Sequence, residues 1–173
     1  MEGLEKIKKA IEKKDKKMKC GDFEWEVNYF DVDGKIKVDL FSDIAEKIVF
    51  KCIKYLTYDD QSNKRKISIN QMRKFYNEIL NYQIQINSIS YKEKKLQKFR
   101  ELLPLIKMEK AKANIAYQKK NMNTNFKRFI DKNIDYIVEG YDKDLEKSLE
   151  KFTIFVSLFE AVIAYAKGVI NEN

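Results

Sequence analysis

The chain has 173 residues, 44% of them apolar and 36% charged, with Lys+Arg 35 against Asp+Glu 27 for a formal charge of +8. That length suits one domain, or one domain with a small appendage, and the apolar share is enough for a real core. Histidine is absent, which removes His metal ligands, His general bases and both Ser-His-Asp and Cys-His catalysis.

Two cysteines, Cys20 and Cys52, cannot complete a four-ligand zinc site. Five glycines and one proline argue against sheets with many tight turns and for helices. No apolar run reaches membrane-span length, and the first 19 residues lack a signal-peptide core. The expectation is a cytoplasmic protein, not a membrane protein, with reduced and buried thiols.

Residues 4–19 read as a thin basic amphipathic helix or an arm, with Leu4, Ile7, Ala10 and Ile11 as its apolar stripe. Residues 24–38 alternate instead: Trp25, Val27 and Tyr29, then Ile36 and Val38, on either side of Asp33-Gly34. That pattern predicts a short hairpin. The DVDG string there is no calcium loop, because its glycine comes too early and the closing Glu is missing.

From residue 40 the period becomes helical. Leu40, Ile44, Ile48, Cys52, Ile53 and Leu56 make one stripe, followed by a polar loop. Ser68 and Gln71 fit a capping box opening a helix through Met72, Phe75, Ile79 and Ile86, which ends near Ser88–Ser90. The next starts near Lys92, and Pro104 predicts a kink or break near Glu101–Leu103. It resumes through Met108, Ala111, Ile115 and Ala116. A further helix runs from Met122 to Ile137 and stops at Gly140. The last, from about Lys143 to Lys167, repeats Leu145, Leu149, Phe152, Val156, Phe159, Ile163, Ala166 and Ile170 at spacings of four and three. So much apolar circumference makes it either the centre of a bundle or a subunit interface. The expectation is an all-α bundle of about five helices over 40–173, with 1–39 as a variable arm or hairpin.

The net charge hides segregation. Residues 1–19 carry net +4, 20–60 net −5, 61–132 net +13 and 133–173 net −4. The +13 block repels itself unless a polyanion or bulk ions neutralise it. A solvated Lys-rich helical surface is the plainer alternative.

No phosphate-binding glycine loop and no nucleophile elbow is present. Asp59-Asp60, Asp142 and Asp144 lie in loops or helix starts, where acids favour the helix dipole. Glu160 is the only acid of FVSLFEAVIAYAKG and reads as a solvent-strip or Lys-paired residue. The basic block is the better site. Arg73, Lys112, Lys119, Lys120, Lys127 and Arg128 are the expected phosphate contacts, with Lys107 and Lys110 behind them. Asn114, Asn121, Asn123, Thr124 and Asn125 interleave as neutral donors. Tyr117 either stacks on a base or packs in its helix, and packing is favoured. Such cations and amides suit phosphate and ribose oxygens without reading bases.

The strings ISINQMRKFYNEI, LPLIKMEKAKANIAYQKK, NFKRFIDK and KFTIFVSLFEAVIAYAKG resemble, in this order, the small helical subunit of the type III-A CRISPR (Csm) interference complex. The resemblance covers about residues 40–170. Where family members often carry an Arg shortly after the helical Tyr, this chain has Lys119 and Lys120.

The resemblance implies a non-catalytic subunit of an antiviral ribonucleoprotein that needs no cofactor. Copies would stack beside the backbone subunits and the large subunit, with basic faces along the guide RNA–target RNA duplex. RNA cleavage would belong to the backbone subunits, and DNA cleavage and cyclic oligoadenylate synthesis to the large subunit. A purely structural assembly subunit and a metal-dependent nuclease are the competing readings, and a homodimer through the last helix is a separate expectation.

Overall fold

A computed structural model describes residues 26–49 and 67–168. Within them the chain is all-α. A π-helical turn, Leu40–Ile44, leads into α1 (Ala45–Ile48). Then follow α2 (Ile69–Asn87), α3 (Lys92–Gln118), α4 (Thr124–Val138) and α5 (Leu145–Lys167). The expected helix over 4–19, both cysteines and the second half of the 40–56 stripe lie outside the described residues.

The α2 start is the capping box. Ser68 Oγ accepts from Gln71 N, and Gln71 Oε1 accepts from Ser68 N. Asn123 caps α4 by accepting from Phe126 N at 2.8 Å, and Asp144 caps α5 by accepting from Lys147 N at 2.8 Å. These side chains satisfy amides that the first turn leaves without helical partners.

Two local expectations are corrected. The 24–38 hairpin reduces to one antiparallel bridge, Phe30 to Ile36, with no strand among the described residues. Asp31 Oδ1 accepts from both Asp33 N and Lys35 N at 2.9 Å, and Gly34 takes φ +75°. The side chain therefore tightens a turn that two backbone bonds also close, Asp31 N to Lys35 O at 2.8 Å and Lys37 N to Tyr29 O at 2.9 Å. Nor does α3 break at Pro104, one of the two outcomes expected there beside a kink; it is one helix from Lys92 to Gln118. Pro104 and Arg100, whose carbonyl loses its donor, are both solvent-exposed, so water can replace the lost bond.

The helix α5 is the centre. It packs on α1, α2, α3 and α4, and Phe152, Phe155, Val156, Leu158, Phe159 and Val162 are buried on it. Phe126, Phe129, Phe155 and Phe159 form a continuous ring cluster with centroids 5.3–5.8 Å apart. Its exposed residues are Glu146, Glu150, Thr153, Ser157, Glu160, Ala164 and Lys167, so its apolar stripe is used inside the molecule. Glu160 lies on this solvent strip. Burial and then the Glu160 carboxylate raise the pKa of the nearby Tyr76 phenol.

Part of the N-terminal segment belongs to this core. Tyr29 is fully buried, donates to Asn133 Oδ1 and sits edge-on to Tyr136 at 4.8 Å. Asn133 in turn donates to Phe129 O at 2.7 Å. Burial, then Tyr136, raises the Tyr29 pKa well above the usual phenol value.

Candidate nucleic-acid interface

Side-chain contacts fix how the basic helices lie. Lys112 on α3 meets Glu78 on α2, and Glu109 accepts from Tyr82 Oη at 3.1 Å. The two helices are therefore antiparallel, and the first turn of α2 lies level with the last turn of α3. Lys110 meets Asp135 of α4, while Leu103 and Lys107 line a groove with Val138 and Tyr141. So α4 is antiparallel to α3 as well. The Phe75–Phe126 ring contact, 6.2 Å between centroids, joins the starts of α2 and α4 directly.

One end of the bundle therefore collects the α2 start, the α3 end and the α4 start. It carries Arg73, Lys74, Lys119, Lys120, Lys127 and Arg128. At the opposite end, around the α4–α5 loop, Glu139, Asp142, Asp144, Glu146 and Glu150 mix with Lys143 and Lys147. There Lys92–Glu146 and Lys147–Glu150 pair at 2.8 Å.

Within the basic end the cations differ. Lys119 and Arg128 are exposed. Arg128 Nη1 makes only a long hydrogen bond to Asn125 Oδ1, 3.4 Å. Lys120 follows the α3 C-cap with φ +60°. Asn121 N donates to Ala116 O at 2.9 Å and Lys120 N to Tyr117 O at 3.0 Å, the two bonds of a Schellman ending. Lys127 pairs with its own Asp131 at 2.5 Å. Tyr117 is half-buried against the core, the packing place expected for it.

The remaining nominated residues lie elsewhere. Lys110 and Lys112 are two positions apart, which turns them about 160° from one another on the helix. They reach opposite neighbours, Asp135 on α4 and Glu78 on α2. Lys112 also meets Glu109 at 2.8 Å. Burial opposes its ammonium, but the hydrogen bonds to Glu109 and Glu78 outweigh this and hold its pKa above the usual lysine value. Glu109 is fully buried, and burial is the main cause of its raised pKa, against the lowering effect of Lys112. Lys112 is thus the counter-ion of a buried acid. Lys107 lies 12 residues before Lys119, about 18 Å along the axis.

Arg73 precedes Glu78 by five residues, about 140° around α2 from the face that meets α3. Lys74 is only about 40° from Glu78 and shares the α3 edge with Lys119. In the sequence Lys74 belongs to the basic block beside Arg73, and only the helix–helix register sets it closer to Lys119 than Arg73 is. The structure thus gathers six cations at one end, sets three of the nominated nine (Lys107, Lys110, Lys112) elsewhere, and pairs Lys110, Lys112 and Lys127 internally.

Among the described residues no group of three Cys, Asp or Glu is placed to hold a metal, and no helix is long and apolar enough to cross a membrane. Fold and surface together define an all-α bundle with a cationic end, whose buried acid serves an internal ion pair. The family model of Csm2 Type III-A matches residues 42–171, and the chain belongs to that family. It is therefore a small subunit of the type III-A Csm complex, a structural subunit that assembles with other Csm proteins. No curated protein and no solved structure matches the chain.

Proposed function

We propose that this subunit is a non-catalytic RNA-binding scaffold that lines the guide–target RNA duplex by sequence-independent phosphate contacts. The observation that carries the reading is the convergence of three helix ends into one cationic surface. Lys74, Lys119, Lys120 and Arg128 are its phosphate contacts, with Arg73 and Lys127 at the margins. Tyr117 supports that surface as packing. Lys107, Lys110 and Lys112 take no direct part. Neighbouring copies, the backbone subunits and the large subunit complete the site, and assembly supplies the effective concentration a small surface lacks.

Counterion release gives the test. With about four phosphates neutralised, log K against log salt on single-stranded RNA has a slope near −3, from roughly −0.7 per phosphate. Filter binding of the full chain across a salt series measures it, and a flat response removes the reading.

A second reading has one specific observation behind it: Lys110, Lys112 and Lys127 are spent on the chain's own acids. In that reading the subunit is purely structural and its remaining cations meet acidic partner proteins. Lys119→Glu with Arg128→Glu then lowers recovery of the complex while target RNA stays normally protected in whatever assembles. The RNA reading expects the reverse.

A further inference from the structure

We infer that the α3–α4 groove binds a nucleoside phosphate whose base carries an exocyclic amine, either a free nucleotide or an unpaired nucleotide of an RNA strand. The groove encloses about 450 Å³, a size that suits one small ligand. Leu103, Pro104, Val138 and Tyr141 make its apolar lining, and Arg100 and Lys107 are its charged residues. An ordered turn places the Tyr141 ring. Gly140 takes φ +74°, its carbonyl accepts from Lys143 N and Asp144 N at 3.0 Å, and Tyr141 N donates to Val138 O at 3.3 Å.

Arg100 and Lys107 stand two turns apart on α3, about 10 Å along its axis and within about 20° of one azimuth. Among the described residues no acid lines the groove and no carboxylate pairs with either cation. Lys110 and Lys112 on the same helix are both paired. Two like charges over an apolar floor focus their field on the space between them, and an anion there relieves their repulsion. Arg100 offers a planar fork for two phosphate oxygens and Lys107 a point charge for a third.

Pro104 decides what kind of anion fits. It has no amide, so Arg100 O lacks its helical donor, and the proline ring abuts that carbonyl. A helix interior tolerates this poorly, yet Pro104 lies inside α3 and lines the groove with Arg100. The groove thus offers a backbone acceptor beside its cations and its aromatic ring. A bare phosphate or a fatty acid has no use for an acceptor. An amine-bearing base gives it an N–H and lays its face on Tyr141. Uracil carries a carbonyl where cytosine carries its amine, and that carbonyl repels Arg100 O. Lys107 lies about 18 Å along α3 from Lys119, so this site is separate from the basic end and the inference stands apart from the RNA reading of that end.

Calorimetric titration of the full chain with ATP, CTP, UTP, adenosine and inorganic triphosphate is the test. ATP and CTP should bind one to one, and the other three about tenfold more weakly or not at all. Arg100 and Tyr141 are exposed, and unchanged melting confirms that their variants fold. Arg100→Ala and Tyr141→Ala should each weaken ATP binding about tenfold or more, whereas Tyr141→Phe should keep it. Pro104→Ala returns a donor to Arg100 O, so it should erase the preference for ATP over UTP and leave triphosphate binding where it was. Lys119→Glu with Arg128→Glu should leave that preference intact. Labelled single-stranded RNA separates the two sources: groove variants that weaken it along with ATP assign the site to an unpaired nucleotide of a strand, and variants that spare it assign the site to a free nucleotide. Absence of ATP binding, equal binding of ATP, UTP and triphosphate, or a preference lost with the basic-end pair rather than the groove variants would overturn the inference.

Discussion

Lys120 occupies the backbone position after a helix end that glycine fills most easily. Its φ of 60° costs an L-residue roughly 1–2 kcal/mol, and a Schellman ending demands it. Lys120→Gly removes that strain but loosens the unfolded chain by about 0.5–1 kcal/mol. A net gain of about 0.5–1 kcal/mol should follow, read as a raised midpoint in urea. RNA affinity should fall in the same variant, because a cation is lost from the basic end. Stability and function then move in opposite directions, the mark of strain kept at a working position. Lys112 is the contrasting residue, since its charge serves the fold. Lys112→Ala leaves the buried Glu109 without its counter-ion and should cost at least about 1–3 kcal/mol. Burial already raises the Glu109 pKa, and losing Lys112 raises it further. The folded state then binds the proton more tightly than the unfolded one. The stability of this variant should therefore be greatest at acidic pH and decline as pH rises through the folded-state pKa of Glu109. Thermal melts from pH 7 down to pH 5 should narrow the gap to wild type; a constant gap would show that Glu109 does not carry the effect.

At the scale of elements, α5 holds the molecule together and Pro104 is an irregular choice inside α3. Phe159 lies within ring contact of Tyr76, Phe126, Phe129 and Phe155. Phe159→Ala should cost about 3–5 kcal/mol, and chemical denaturation should lose all helical signal in one step because every other helix leans on α5. Pro104→Ala should act the other way. It restores an amide donor to Arg100 O and removes a ring clash, a gain of up to about 3 kcal/mol, with no change in the extent of α3. These elements were legible in the sequence where one rule acted locally. The Ser68–Gln71 box, the four-and-three spacing of α5 and the stop at Gly140 each declare themselves over a few residues. Pro104 misled because propensity spoke for a break while burial of Phe99, Leu102, Leu103 and Ile106 on both sides of it held the helix whole. The hairpin misled because alternation and Asp-Gly fit a ladder, yet Tyr29 is drawn into the core by Asn133 and Tyr136, contacts more than a hundred residues away. The candidate site was half legible: its cations were visible as a block. Asp135 and Glu78, which meet Lys110 and Lys112, lie on neighbouring helices, so these two lysines looked equivalent to Lys119 in one dimension.

For the whole molecule the decisive property is where charge lies along the bundle axis. Antiparallel packing turns a basic block in sequence into a basic end in space, because the α2 start, α3 end and α4 start coincide. Of the acids after residue 133, Glu139, Asp142, Asp144, Glu146 and Glu150 fold to the opposite end, where carboxylates pair with lysines such as Lys92 and Lys147, whereas Glu160 lies beside Tyr76 near the basic end. If that polarity directs RNA binding, equal changes in net charge at the two ends must have unequal effects. Lys119→Glu with Arg128→Glu alters formal charge by four units, and so does Lys94→Glu with Lys143→Glu near the far end. Exposed ion pairs contribute little, so neither double variant should melt far from wild type. In low salt the first pair should weaken RNA binding by more than tenfold and flatten the salt slope by about two phosphates, roughly 1.4 units. The second pair should change affinity only through net charge, a smaller effect that long-range screening removes near 0.15 M salt, where the Debye length is about 8 Å. Equal losses from both pairs would mean that the chain attracts RNA as a diffuse polycation, and the axial arrangement of its helices would then have no part in recognition.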